Sequence, residues 1–177
     1  SKGISAMIPG VMAQSGMESA EMVEGIVAKI KPDVVIAIDA LAAGSSKRLN
    51  STIQLADTGI NPGSGIGNRR KGLNKETIGV PVIAIGIPTV IHAATIVRDT
   101  MEQMLNVLSE LPNIKGNAGF ETLKAFDDNE KMNLIMELMD EKLVNMFVTP
   151  KDIDESIQFM AEIVAYSINL LFSLSRR

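Results

Sequence analysis

The fold of this chain is decided by residues 31–43, whose sequence is KPDVVIAIDALAA. Five apolar residues, Val34 to Ile38, follow a proline and lead directly into Asp39. An uninterrupted apolar run of this length is typical of a strand buried on both faces, as in a parallel sheet covered by helices. Ligands collect at the carboxyl ends of strands in open α/β sheets, so Asp39 is a candidate functional residue. The alternative is that Asp39 only caps the segment that follows.

Strand and helix patterns alternate along the first hundred residues. Strands are predicted at residues 4–8, 34–38, 52–56 and 80–87, an amphipathic helix at residues 18–30, and a second helix opening at Pro88-Thr89. Such alternation predicts right-handed crossovers between strands. The expected fold class is therefore α/β, an α/β/α sandwich around a mostly parallel sheet.

The domain organisation follows from length and from the polar stretches. A chain of 177 residues is most simply one domain, residues 1–177. Residues 109–129 are expected to form a linker or surface excursion, and residues 130–177 C-terminal helices. Within the last helix, residues 157–174 are long and apolar, and a core or subunit-interface helix is favoured over a membrane span. Because residues 4–8 already look like a strand, we expect the chain to start partway through a longer protein.

Composition excludes several classes of protein. The chain has no cysteine, which removes disulfide frameworks, thiolate metal sites and cysteine nucleophiles, and favours an intracellular setting. It has no tryptophan and a mild formal net charge of -4, so neither stacking platforms nor a basic arm for nucleic acid is expected. A hydrophobic content of 46% predicts a globular chain.

Three side chains are candidates for acid–base chemistry. Asp39 and Asp57 each end a predicted strand, and His92 lies just beyond the end of a third. Converging at one sheet edge, they could act as general acid and base on a water molecule or hold a divalent metal. The alternative is that Asp57 binds loop amides, that His92 is a surface residue on the first turn of a helix, and that only Asp39 faces a cleft.

A glycine-rich loop follows Asp57 and has no helical or strand period. It lacks the lysine ending of a P-loop and the glycine spacing of a dinucleotide fingerprint, so nucleotide binding is not favoured. Its glycines would allow close backbone approach to a peptide or a subunit, and its basic residues could attract an acidic substrate. The candidate residues for shaping a substrate site are Asp57, Asn61, Gly63, Ser64, Gly65, Arg69 and Arg70.

Several long motifs occur in an order that resembles the spore germination protease family of spore-forming Firmicutes. They are IPGVM at 8–12, KPDVVIAIDALAA at 31–43, DTGINPGSGIGNRR at 57–70, GVPVIAIGIPTV at 79–90 and MFVTPKDID at 146–154. The resemblance is dense from residue 4 to about residue 100 and returns near residue 146.

This resemblance implies an aspartic-type endopeptidase that begins the degradation of small acid-soluble spore proteins during germination. Members are made as zymogens, form homotetramers, and are similar in fold to hydrogenase maturation proteases (phosphorylase/hydrolase-like). Two aspartates are thought to activate water; one corresponds to Asp39, and the other belongs to a segment upstream of the IPGVM motif that nothing in this chain matches. The expected setting is the cytoplasm of the developing spore and the spore core, with no cofactor, no direct nucleic-acid partner and no membrane.

Two alternatives stay open at this stage. Because two carboxylates sharing an acid–base task need each other, the chain alone could be a catalytically incomplete fragment that serves as an oligomerisation or regulatory module. A divalent metal held by His92 with Asp39 is the less favoured mechanism.

Overall fold

The computed structural model describes residues 3–10, 16–61 and 71–174. These described residues contain seven α-helices and four strands. The helices are α1 (Ser19–Ile30), α2 (Lys75–Ile78), α3 (Ala93–Ser109), α4 (Ala118–Ala125), α5 (Asp128–Leu138), α6 (Glu141–Val144) and α7 (Ile153–Leu174). The strands are β1 (Val35–Ala43), β2 (Gln54–Ala56), β3 (Val82–His92) and β4 (Phe147–Val148), and a 3₁₀ turn spans Ser46–Arg48. The chain divides into two compact units, Ser1–Leu41 with Ile53–Ile87 and Ala42–Thr52 with Pro88–Arg177.

The sheet is mixed, with the order β1-β3-β2 and with β4 also paired to β3. Both β2 and β4 run antiparallel to β3. β1 and β3 run in the same direction, because the Val35 N–H donates to the Pro81 carbonyl at 2.9 Å while Leu41, further along, lies against Gly86.

The prediction of a mostly parallel sheet is therefore wrong. A parallel connection needs about a dozen residues or more, usually including a helix. Residues 44–53, which join β1 to β2, contain only a 3₁₀ turn, and the described residues of the link from β2 to β3 contain only the four-residue helix α2. The described residues of the two links contain no long crossover helix, and β2 runs antiparallel to β3. The α/β class itself is confirmed.

The first unit has its core where α1 meets β3 and the segment around α2. Its buried side chains are Ala20, Val27, Leu73, Ile78 and Val82, with Val23, Val35, Ala37, Ile60 and Val80 packed around them. α1 begins with a capping box. The Glu18 side chain accepts a hydrogen bond from the Glu21 backbone N–H, and the Glu21 side chain accepts one from the Glu18 backbone N–H. It ends at Lys31, whose left-handed conformation precedes a proline. The helix predicted at residues 18–30 is confirmed.

Two strand predictions in this unit need correction. Residues 3–10 form no strand, and Ile8 is 95% exposed, because an isolated apolar pentapeptide gains nothing from a strand conformation without a neighbour to pair with. β1 is longer than the predicted 34–38 and is less buried than expected, with Ile38 55% exposed. A strand at the end of the described sheet has a face that the described elements do not cover.

The second unit shows that β3 continues through Pro88 to His92, so that α3 begins at Ala93 rather than at Pro88-Thr89. Pro88 is fully buried in the strand, and its carbonyl accepts a hydrogen bond from the Asn50 N–H at 2.8 Å. Thr89, Val90 and Ile91 are β-branched and favour the extended conformation. The predicted helix start was wrong because a proline fits both the first turn of a helix and a strand position whose N–H is not needed.

Two helices of this unit pack on α3. α5 and α6 contact α3, and the buried residues Ala94, Leu105 and Ile135 belong to α3 and α5. Residues 109–129, expected to be a linker or surface excursion, include the helix α4. The Asn117 side chain caps α4 by accepting from the Phe120 N–H at 3.0 Å.

The C-terminal helix α7 is largely exposed. By length and composition alone, Ile153–Ser173 could cross a membrane, but a single helix of this kind is weak support for a span. Only 6% of this stretch is buried, so α7 is not a core helix in the described structure. Its exposed apolar side chains are Ile157, Phe159, Ile163, Tyr166, Leu170 and Leu171. The prediction of a subunit-interface helix stays a prediction.

Candidate active site

Asp39 lies within β1 rather than at its end, four residues before Ala43. Side chains alternate along a strand, so Asp39 projects from the same face as Val35 and Ala37, which pack against the core of the first unit. Its side chain is half-buried, whereas Ile38 and Ala40 on the opposite face are exposed. Asp39 is thus the polar member of a row that continues through the half-buried Leu41 to the buried Ala43.

One carboxylate oxygen of Asp39 is held by its own strand. Oδ1 accepts a hydrogen bond from the Ala40 N–H at 2.9 Å. A short, local bond of this kind fixes the orientation of the carboxylate relative to the backbone. This bond links the carboxylate to the backbone of β1.

Asp57 is exposed and directly follows β2. Because β2 is antiparallel to β3, with Ala56 opposite Ala84, Asp57 lies beside the first residues of β3. The expectation that Asp39 and Asp57 each terminate a strand at one shared carboxyl edge is wrong. Asp39 stands inside its strand, and Asp57 leaves its strand on the side where β3 begins.

The base of the glycine-rich loop is closed by a pair of backbone hydrogen bonds. The Ile60 N–H donates to the Leu73 carbonyl at 2.9 Å, and the Leu73 N–H donates to the Ile60 carbonyl at 2.7 Å. Next to this pair, the exposed Asn61 places its side-chain oxygen directly against Gly72, where a β-carbon would overlap it. The other predicted loop residues, Gly63, Ser64, Gly65, Arg69 and Arg70, lie outside the described residues.

Lys71 ties the end of this loop to α1. Its ammonium group lies 2.6 Å from a Glu24 carboxylate oxygen, and its backbone N–H donates to Glu18 at 3.4 Å. The hydrogen bond that the Lys71 ammonium donates to Glu24 is the main cause that raises the pKa of Lys71. Both side chains of the salt bridge are partly exposed, so it adds little to the stability of the folded state.

His92 is the last residue of β3 and occupies the N-cap position of α3, without a side-chain capping bond. Its ring packs edge-on against Phe147 of β4, with centroids 5.0 Å apart and planes at 63°. The alternative interpretation placed His92 on the first turn of a helix, but the residue lies at the end of a strand. No group of three or more His, Asp or Glu side chains within the described part of the chain could hold a metal ion. A metal-assisted role for His92 stays a prediction.

A cluster that the sequence did not indicate lies around Asp99 in the second unit. Asp99 Oδ2 accepts from the Ser46 N–H at 2.6 Å, from the Ser46 hydroxyl at 2.8 Å and from the Ser45 hydroxyl at 3.1 Å. Its Oδ1 accepts from Arg98 Nη2 at 2.8 Å, and the same nitrogen donates to the Gly44 carbonyl at 2.7 Å. Burial alone would raise the pKa of Asp99, but these hydrogen bonds outweigh burial and lower it to about 2.

An apolar groove of about 450 Å³ lies between α3 and α5. Its lining offers no carboxylate or imidazole, so it cannot supply acid–base chemistry. The lining residues are Ile96, Val97, Thr100, Met101, Met104, Ile135, Leu138 and Met139.

Residues 1–112 match the family model described as germination protease. This match covers more than half of the chain and includes β1 with Asp39. The chain belongs to the germination protease family. Its relatives include the germination protease of Caldanaerobacter subterraneus subsp. tengcongensis, to which it is 46% identical over 169 residues, or 96% of this chain and 52% of the relative.

Two further germination proteases extend the comparison. The Clostridium acetobutylicum protein is 44% identical over 171 residues, covering 94% of this chain and 51% of the relative. The Bacillus velezensis protein is 42% identical over 195 aligned positions, covering 94% of this chain and 53% of the relative. This family member therefore spans about half the length of the curated relatives it matches. Because 195 aligned positions exceed the 177 residues of the chain, the Bacillus protein contains residues that have no counterpart here.

Proposed function

We propose that this chain supplies one catalytic aspartate of an endopeptidase that begins the degradation of small acid-soluble spore proteins during spore germination. The observation that carries the proposal is the family match over residues 1–112, which contains Asp39 in β1. The relatives that share 41–46% of their aligned residues with the chain all bear the name germination protease.

In the proposed reaction, Asp39 works with a second aspartate to activate a water molecule. One carboxylate accepts a proton from the water as its oxygen attacks the peptide carbonyl, and the other, protonated, donates a hydrogen bond to the developing oxyanion. Two adjacent carboxylates favour this division because like charges keep one of them protonated. The second aspartate is proposed to come from the part of the relatives' length that this chain does not span. No metal or other cofactor takes part in this mechanism.

The loop that follows Asp57 is proposed to shape the substrate groove or to control access to it. The hydrogen-bonded pair at Ile60 and Leu73 and the bridge from Lys71 to α1 hold the two ends of the loop. A loop with a fixed base and a glycine-rich interior lets substrate backbone approach closely. Asp57, Asn61, Gly63, Ser64, Gly65, Arg69 and Arg70 are the proposed site-shaping residues.

The proposed setting is the cytoplasm of the developing spore and the spore core, where the protein is made as a zymogen and works as a homotetramer. Small acid-soluble spore proteins are the proposed substrates, and neither nucleic acid nor a membrane is a proposed partner. The proposed similarity in fold to hydrogenase maturation proteases agrees with the α/β class of the described elements.

Cleavage of a purified small acid-soluble spore protein by the protein at its natural full length tests this proposal. Casein, an unstructured protein of different sequence, is the matched control substrate. We expect discrete fragments from the spore protein and slow or no cleavage of casein. Equal degradation of both substrates, or of neither, would contradict the proposal.

A second candidate function is that of an oligomerisation or regulatory module without catalysis of its own. The exposed apolar side chains of α7 favour it, since an apolar surface of this kind is usual where subunits meet. Light scattering coupled to the cleavage assay, on the 177-residue chain alone, separates the two functions. A folded oligomer that stays inactive even after the natural full-length protein proves active would support the module.

A further inference from the structure

We propose that Asp99 is a positioning residue for the reaction assigned to Asp39, because it holds residues 44–46, which directly follow the strand that carries Asp39. This inference rests on the proposed function. Asp99 touches neither substrate nor reacting atoms in this proposal. It acts through the backbone at the carboxyl end of β1.

The contacts grip three consecutive residues. Arg98 Nη2 donates to the Gly44 carbonyl at 2.7 Å, and Asp99 accepts from both serines that follow, at distances of 2.6 to 3.1 Å. Arg98 and Asp99 also bond each other at 2.8 Å, which orients the two charged groups. The side chain of Asp99 is only 11% exposed, and charge-assisted hydrogen bonds of this kind are stronger than bonds between neutral groups.

Beyond the buried Ala43 that ends β1, residues 44–46 carry no apolar side chain that could anchor them. The 3₁₀ turn Ser46–Arg48 has no buried residue, and Gly44 is exposed. An exposed turn without apolar anchors depends on its polar contacts for a fixed position. Asp99 alone accepts three of the hydrogen bonds that residues 45 and 46 donate.

A fixed end of β1 matters for a catalytic carboxylate on the same strand. Asp39 precedes Gly44 by five residues, and β1 is continuous from Val35 to Ala43. Displacing a catalytic group by about 1 Å is enough to lower a rate by about 100-fold. The structure therefore assigns the Arg98–Asp99 pair a role in the turnover number rather than in substrate affinity.

The test compares Asp99→Ala and Asp99→Asn in the protein at its natural full length. We expect kcat for spore-protein cleavage to fall by about 10- to 100-fold in Asp99→Ala, with KM within about threefold of the parent. Asp99→Asn keeps one acceptor oxygen and should retain an intermediate kcat. Hydrogen–deuterium exchange of residues 44–48 should accelerate in the same order.

Asp127→Ala is the matched control variant. Asp127 also accepts a backbone N–H at the start of a helix in the second unit, from Glu130 at 2.8 Å, but its hydrogen bonds stay within residues 127–131. We expect it to lower stability while kcat and the exchange of residues 44–48 stay at parent values.

Three results would overturn the proposal. Unchanged hydrogen–deuterium exchange in Asp99→Ala would mean that the hydrogen bonds of Asp99 do not hold residues 44–46 in place. Faster exchange with an unchanged kcat would mean that Asp99 has a structural role only. Full activity of Asp39→Asn would refute the proposed function itself, and the positioning role would fall with it. The exchange data distinguish this last case, because they report on the grip without any activity.

Discussion

Replacing Gly59 by alanine should destabilise the base of the glycine-rich loop far more than the same change at Gly79. Both glycines adopt left-handed conformations, with φ of 85° and 78°. At Gly59 a β-carbon would overlap the Leu73 carbonyl oxygen and would lie 2.8 Å from Asn74 Cα, whereas at Gly79 nothing lies within 4 Å. The pair therefore separates backbone strain from steric overlap.

The magnitudes follow from these surroundings. A left-handed alanine costs roughly 1–2 kcal/mol, and the stiffer unfolded chain returns about 0.4–1 kcal/mol, so Gly79→Ala should cost about 1 kcal/mol. Overpacking adds roughly 1–3 kcal/mol at Gly59, and the obstructing atoms are backbone, which cannot rotate away. We expect Gly59→Ala to cost about 3 kcal/mol in the free energy of unfolding.

Urea unfolding measures both changes in the free energy of unfolding. It is followed by far-UV circular dichroism, because a chain with no tryptophan and one tyrosine gives little intrinsic fluorescence. The midpoint of Gly59→Ala should lie well below that of Gly79→Ala, at a common slope. Equal midpoints, or a greater loss at Gly79, would refute the steric reasoning and the closed loop base that it assumes.

The other predictions concern a pH dependence and the core of the second unit. The pKa of Asp99 is about 2 in the folded protein, below its ordinary value of 3.8, so its contribution is present above pH 3.8 and is lost as pH falls toward 2. Urea unfolding should show that the parent is more stable than Asp99→Asn by at most about 2 kcal/mol, and that this difference shrinks as pH falls from 3.8 toward 2. A stability difference independent of pH would contradict the lowered pKa of Asp99. Changing the fully buried Ile91 to alanine should lower the free energy of unfolding by about 2–5 kcal/mol. The same change at Leu138, which is 77% exposed, should lower it by less than about 0.5 kcal/mol. Thermal unfolding of the two variants checks the contrast, and similar losses would contradict the burial that separates them.

Local signals predicted the elements whose stabilising contacts are close in sequence. α1 was predicted because its apolar period and its acidic first turn both lie within one segment. β1 was predicted from a single apolar run, and Asp39 was singled out because the run stops there. The length of β3 was not predictable in this way, since one contact that accompanies its continuation, from Asn50 to Pro88, spans 38 residues.

Strand direction and the Asp99 cluster depended on pairings that no local pattern encodes. Whether β2 runs with or against β3 is decided by which elements cover the sheet and by the short links between strands. Asp99 contacts Ser45 and Ser46 from 54 and 53 residues away, so neither residue type nor spacing could have indicated the contact. Asp57 was misplaced for the same reason, because its position follows from the direction of β2.

Cleavage by Asp39→Asn, at natural full length, tests the proposed catalytic role most directly. Asp33→Asn is the matched control, because Asp33 is an exposed aspartate that lies just before β1. We expect Asp39→Asn to lower kcat for spore-protein cleavage by about 1,000-fold or more with an unchanged circular dichroism spectrum, and Asp33→Asn to retain parent activity. Turnover by a folded Asp39→Asn variant at a rate close to that of Asp33→Asn would contradict the assignment.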